Sequence, residues 1–156
     1  MSKSFPLNAL FAAIAARGAA SREVKALALY EARTMTDAEP LAYAINNAPA
    51  SVKPGERAQC AKVLQTACER RAAECPAAML DEPAPVIRWN PATKTAEAYN
   101  ESAAETRARV ESREIERNAA REAKHAQLVA DIAARQLAEL ASLPADELAA
   151  AVAAAA

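Results

Sequence analysis

The sequence predicts an all-α protein: a small N-terminal helical bundle, a Pro-rich extended linker and a long C-terminal helix. Three observations carry that expectation. Alanine supplies 46 of the 156 residues, and it is the best helix former because ordering its methyl group costs no rotamer freedom. Glycine occurs only twice, at Gly18 and Gly55, which is too few for hairpin-rich sheets or glycine-rich phosphate loops. No stretch alternates apolar and polar residues for long enough to read as a strand.

The core is expected to be thin. Leu, Ile, Val and Phe together number 26, so alanine makes up more than half of the apolar residues. Such a composition at high net charge would indicate disorder. Here 19 basic residues face 20 acidic ones for a net charge of −1, and close-packed helix interfaces are the better reading. Charge parity also argues against a polyanion partner: nucleic acid is not expected, since counterion release needs an excess of cations.

Residues 1–75 read as four short helices. In the first, Ser4 is placed to cap, Pro6 sits in the first turn, and Leu7, Leu10, Phe11 and Ile14 form an apolar stripe that Gly18 terminates. Ser21 caps a second helix carrying Val24, Leu27 and Ala28 and ending near Arg33. Thr36-Asp-Ala-Glu39 has capping-box spacing and opens a third helix through Leu41 and Ile45. The fourth runs from about Pro54 to Cys75, and Pro76 blocks its extension. Connections this short fold neighbouring helices back on one another.

Residues 76–91 hold Pro76, Pro83, Pro85 and Pro91 and read as an extended, polyproline-like linker. Within it lie Ile87 and Trp89, candidates for anchoring a partner's groove or for tacking the linker to its own bundle. Residues 92–143 lack proline and glycine and predict one helix of roughly 78 Å at 1.5 Å per residue. Its middle is charged in both signs, with acid-first pairs such as Glu105 and Arg109. Its far end carries a broad apolar face of Leu128, Val129, Ile132, Leu137, Leu140 and Leu143. A heptad-like seam, Ile115, Ala119, Glu122, Ala126, Val129, Ala133, Gln136, Leu140 and Leu143, is incomplete as a coiled coil. Pro144, Asp146 and Glu147 then start a short Ala-rich helix or tail over 144–156.

Residues with chemical potential are few. Cys60, Cys68 and Cys75 share a helix face but stand about 10 Å or more apart, too far to bridge one another. The single histidine, His125, belongs to another element, so no zinc set forms. The cysteines are read as small hydrophobes, and His125 as a surface residue without a nucleophile beside it. No catalytic, cofactor or metal site is expected. Lys3 and the run Phe5–Ala16 have a faint look of a signal peptide, but Pro6 and Asn8 interrupt it and an amphipathic helix fits better. No membrane span is expected, and an odd cysteine count fits a reducing, cytoplasmic setting or a particle assembled in the cytosol.

The expected function is therefore that of a non-enzymatic assembly or adaptor protein, a structural subunit of a larger complex such as a virion or scaffold, with a protein partner or self-association through the long helix. The alternative is a DNA-binding regulator. Residues 13–27 resemble a helix-turn-helix in part, with Gly18 in the turn and Val24 and Leu27 where a second helix packs, which would aim Ser21, Arg22 and Lys25 at the major groove. Arg17 and Ile14 depart from the pattern.

Overall fold

A computed structural model describes residues 7–154. Its order is α1 (Asn8–Arg17), α2 (Arg22–Thr34), α3 (Glu39–Asn46), α4 (Pro54–Ala73), a 3-10 turn (Ala77–Met79), β1 (Pro83–Asn90), β2 (Thr95–Ser102), α5 (Ala103–Ser142) and α6 (Ala145–Ala154). The chain divides into two compact units, Met1–Glu111 and Ser112–Ala156.

The four N-terminal helices form where their signals stand, with local differences. Gly18 ends α1 at φ +76°, a region that a side chain would disfavour, and its N–H reaches the Ile14 carbonyl at 2.8 Å. Ser21 caps α2 by accepting the Val24 N–H at 3.2 Å. The capping box expected from Thr36 is not the one used: Asp37 lies nearer and its carboxylate accepts the free Glu39 N–H at 3.0 Å, so α3 begins at Glu39. The Ser4 cap and Pro6 lie outside the described residues.

The core sits among α1, α2, α3, α4 and the hairpin. Half of its buried apolar residues are alanines, among them Ala28, Ala32, Ala42, Ala61 and Ala67. Small side chains let helices approach closely but bury little area each, so polar contacts at the helix ends carry more of the load than in a leucine-rich bundle.

The all-α expectation needs correction, because the segment read as a Pro-rich linker contains β1. It pairs antiparallel with β2 in the register Pro83↔Ser102, Val86↔Tyr99, Trp89↔Ala96 and Asn90↔Thr95. Two things concealed the hairpin. Pro83 and Pro85 suggest polyproline, yet proline is tolerated in an edge strand. Residues 95–98, Thr-Ala-Glu-Ala, contain helix formers, and pairing overrides that preference. The turn Pro91–Lys94 has no glycine. Asn90 closes it by accepting the Ala92 N–H at 2.9 Å, and Lys94 takes the left-handed conformation at φ +57°.

An isolated two-stranded hairpin is marginal in water. This one has side chains of helices along both outer edges. On the β1 side, α4 presents Gln65, Cys68 and Arg71 one turn apart. The Gln65 Oε1 accepts the Trp89 N–H at 3.2 Å, the Cys68 sulfur meets the Ile87 backbone, and Arg71 donates to the Pro85 carbonyl at 2.6 Å. On the β2 side, the Asn46 side-chain amide accepts the Ala96 N–H at 2.7 Å and donates to the Ala96 carbonyl at 2.8 Å, as a neighbouring strand would. Edges covered in this way present no free backbone ladder at those positions.

The long helix starts at Ala103 rather than at residue 92, because residues 92–102 are the turn and β2. Its 40 residues rise about 60 Å along the axis. Ser102-Ala-Ala-Glu105 is a capping box: the Ser102 Oγ accepts the Glu105 N–H at 3.1 Å and the Glu105 carboxylate accepts the Ser102 N–H at 2.8 Å. That backbone N–H holds the Glu105 carboxyl below its ordinary range. The cap is therefore intact above that range and is lost as pH falls through the depressed value.

Arg107 fixes the first turns of α5 in the first unit. Its guanidinium donates to the carbonyls of Ala72 at 2.9 Å, Ala73 at 3.0 Å and Cys75 at 2.8 Å, all at the end of α4. Arg107→Ala leaves these acceptors without their charged donor. Urea denaturation is expected to show a loss of about 1.5–3 kcal/mol with an unchanged m-value. A change below about 0.5 kcal/mol would contradict the clamp.

Candidate functional site

The apolar face expected on the far end of α5 is present and uncovered. From Glu114 to Ser142 every residue is exposed, and Leu128, Val129, Ile132, Leu137 and Leu140 have exposures of 42–67%. Leu143, just beyond the helix, is half-buried. At 3.6 residues per turn the five helical side chains fall within an arc of about 180°. This is wider than a two-residue coiled-coil seam. Of the incomplete seam, Ile115 is exposed too.

The other two candidate anchors belong to the core. Ile87 is fully buried and so is corrected out of the partner-binding set: as an inward residue of β1, it packs among the bundle helices. Trp89 is half-buried and packs against the same core. The residues of the partial helix-turn-helix lie at the start of α2. Ser21 spends its hydroxyl on the Val24 N–H, while Arg22 and Lys25 are exposed. Arg17 pairs with Glu23 at 2.8 Å.

Lys25 belongs to a feature that the sequence did not reveal. A groove of about 310 Å³ lies between α2 and α4, with Ala19, Leu29, Val63 and Ala67 as apolar lining and Lys25, Lys62 and Arg70 as its charged residues. No acid lines it. Arg70 is engaged with Glu74 at 2.8 Å, whereas Lys25 and Lys62 form no ion pair among the described residues. Lys62 stands on the face of α4 opposite its buried stripe, and nothing in the sequence marks which cations converge across two helices.

A second cavity, of about 460 Å³, opens where α4 ends beside β1 and the root of α5. Its wall includes Arg33, Arg71, Glu74, Cys75 and Glu101. These charges are already partnered. Arg70 and Arg33 hold the Glu74 carboxyl below its ordinary range, and Arg71 donates to the carbonyls of Ala32 and Pro85. Glu101 pairs with Arg88 and with Arg109, the latter at 3.3 Å, and Arg88 stacks 4.2 Å over the Tyr99 ring. Arg109 also reaches Glu69, so β1, β2, α4 and the α5 root meet in one network. It is a structural junction whose wall carries the free thiol of Cys75.

Among the described residues no three His, Cys, Asp or Glu side chains form a metal-binding group, and no helix is long and apolar enough to cross a membrane. Comparison with protein-family models, with curated proteins and with solved structures gives no match.

The cysteines separate into two kinds. Cys60 and Cys68 are fully buried in the α4 stripe, and Cys75 lies past the end of the helix, half-buried. Burial, with a smaller contribution from Glu31, pushes the Cys60 thiol up to about 12, and burial raises Cys68 as well. Since the thiolate is the reactive form, both remain protonated and inert at pH 8. A maleimide reagent on the native chain at pH 8 is expected to label Cys75 alone by mass spectrometry, and all three after denaturation. Labelling of Cys60 in the native chain at the Cys75 rate would contradict this packing.

Proposed function

We propose that the protein is a non-enzymatic assembly or adaptor protein that associates through the distal half of α5, with a second copy of the chain as its first partner. One observation supports this reading: five large aliphatic residues on one side of distal α5, Leu128, Val129, Ile132, Leu137 and Leu140, are exposed to water. Covering the exposed half of a leucine or valine side chain is worth about 1 kcal/mol. Two copies therefore supply on the order of 10 kcal/mol across ten such side chains, against an association cost of about 4 kcal/mol or more. The balance of at most about 6 kcal/mol corresponds to a Kd of tens of micromolar at best, as suits a subunit that assembles at high local concentration.

Charge agrees with a helical protein partner better than with DNA. The chain holds 19 basic and 20 acidic residues, and the bases of α5 are interleaved with acids along its length. Phosphate binding therefore lacks its usual driving force. Near Ser21, Arg22 and Lys25, Arg17 and Arg70 are already paired with Glu23 and Glu74, which leaves few free cations for a phosphate backbone.

Sedimentation equilibrium tests the reading. The native chain is expected to give a mass above the 16.4 kDa monomer at tens of micromolar, and Ile132→Glu/Leu140→Glu to return it to 16.4 kDa with helicity unchanged. A native mass of 16.4 kDa throughout that range would remove self-association.

A further inference from the structure

We infer that the α2–α4 groove is the receptor for the acidic C-terminal segment, residues 136–154, of a second copy. The inference rests on the proposed association through distal α5 and adds the surface that it meets. Two complementary features carry it. The groove has an apolar floor of Leu29, Val63 and Ala67 beneath Lys25, Lys62 and Arg70, and no acid lines it. The segment after Arg135 contains Glu139, Asp146 and Glu147 and no Lys, Arg or His, in a chain where the two signs are otherwise balanced. Its aliphatic residues Leu137 and Leu140 are exposed.

Both halves of the match are open. Lys25 and Lys62 are exposed and without an ion pair among the described residues, and Leu137, Glu139, Leu140, Asp146 and Glu147 are exposed. A volume of about 310 Å³ is at the lower end for a specific pocket and suits a few aliphatic side chains rather than a whole helix. The contact thus reads as one or two leucines seated on the floor, with Glu139, Asp146 and Glu147 facing the rim cations. Exchanged reciprocally between two copies, this unlike-surface contact closes as a dimer; exchanged in one direction, it propagates as a chain. Exposed ion pairs of this kind weaken with salt, whereas the aliphatic part of the contact does not.

Charge reversal in the full-length chain tests it. Lys25→Glu/Lys62→Glu reverses the groove and Asp146→Lys/Glu147→Lys reverses the tail, all at exposed positions. By sedimentation velocity at 50 mM salt, each variant alone is expected to associate at least tenfold more weakly than the native chain. Their equimolar mixture is expected to recover association to within threefold, because each reversed surface then meets a complementary one. A mixture that stays as weak as its components, or a groove-reversed chain that associates like the native one, overturns the inference. In the latter case, loss of association in Ile132→Glu/Leu140→Glu would leave the distal helix as the interface and place its partner surface elsewhere. A labelled peptide of residues 136–156 provides a readout independent of self-association. It is expected to bind the tail-reversed full-length chain, to bind at least tenfold more weakly once Lys62→Glu is added, and to weaken between 50 and 500 mM salt. No peptide binding at 50 mM salt, or a short DNA duplex bound through Lys25 and Lys62 in its place, overturns the inference.

Discussion

Guanidinium groups from one element on carbonyls at or beside the end of another hold this bundle together. Arg57 of α4 donates to the Asn46 and Ala48 carbonyls at the end of α3, Arg71 of α4 to Ala32 in the last turn of α2, and Arg107 of α5 to three carbonyls at the end of α4. The last carbonyls of a helix have no intrahelical donor, and the backbone dipoles place partial negative charge there. Arginine's rigid fork of donors suits several such acceptors at once, where lysine would offer a single point charge. In a core half made of alanine, these clamps supply a fixed geometry that bulky side chains provide elsewhere.

The hairpin follows from the same economy of packing. Its strands are poor in β-branched residues, with Val86, Ile87 and Thr95 beside the aromatics Trp89 and Tyr99 and otherwise alanine, proline and polar side chains, and their outer edges are completed by Gln65, Cys68, Arg71 and Asn46. Once the hairpin is in place, Glu101 at the end of β2 gathers Arg88 and Arg109, and Ser102 caps α5 with Glu105. The start of the long helix is thus defined by polar contacts within the first unit, while Leu128, Val129, Ile132, Leu137 and Leu140 of its distal half are exposed.

The sequence made the helices legible because helix signals are local. Gly18, Ser21 and Pro54 announce a stop, a cap and a first turn, and the stripe of Cys60, Leu64 and Cys68 has the spacing of a buried face. The distal stripe of α5 was readable for the same reason. The hairpin was not, since Pro83 and Pro85 imitate a linker, Ala96 and Ala98 favour helix, and the edge partners lie up to 50 residues away. Ser102-Ala-Ala-Glu105 was a readable signal that the long helix starts there, obscured by the helix-prone residues before it. The groove depends on Lys25 and Lys62 meeting across two helices, a convergence that no spacing along one chain encodes.

The central claim is that the aliphatic arc of α5 is an association surface. Hydrogen exchange on the native chain, followed over rising protein concentration, addresses it without mutation. Association through this arc predicts that amides between residues 128 and 143 slow as concentration rises, while the fully buried turns of α2 and α4 keep their rates. Exchange over 128–143 that stays fast and independent of concentration, up to several hundred micromolar, would contradict it.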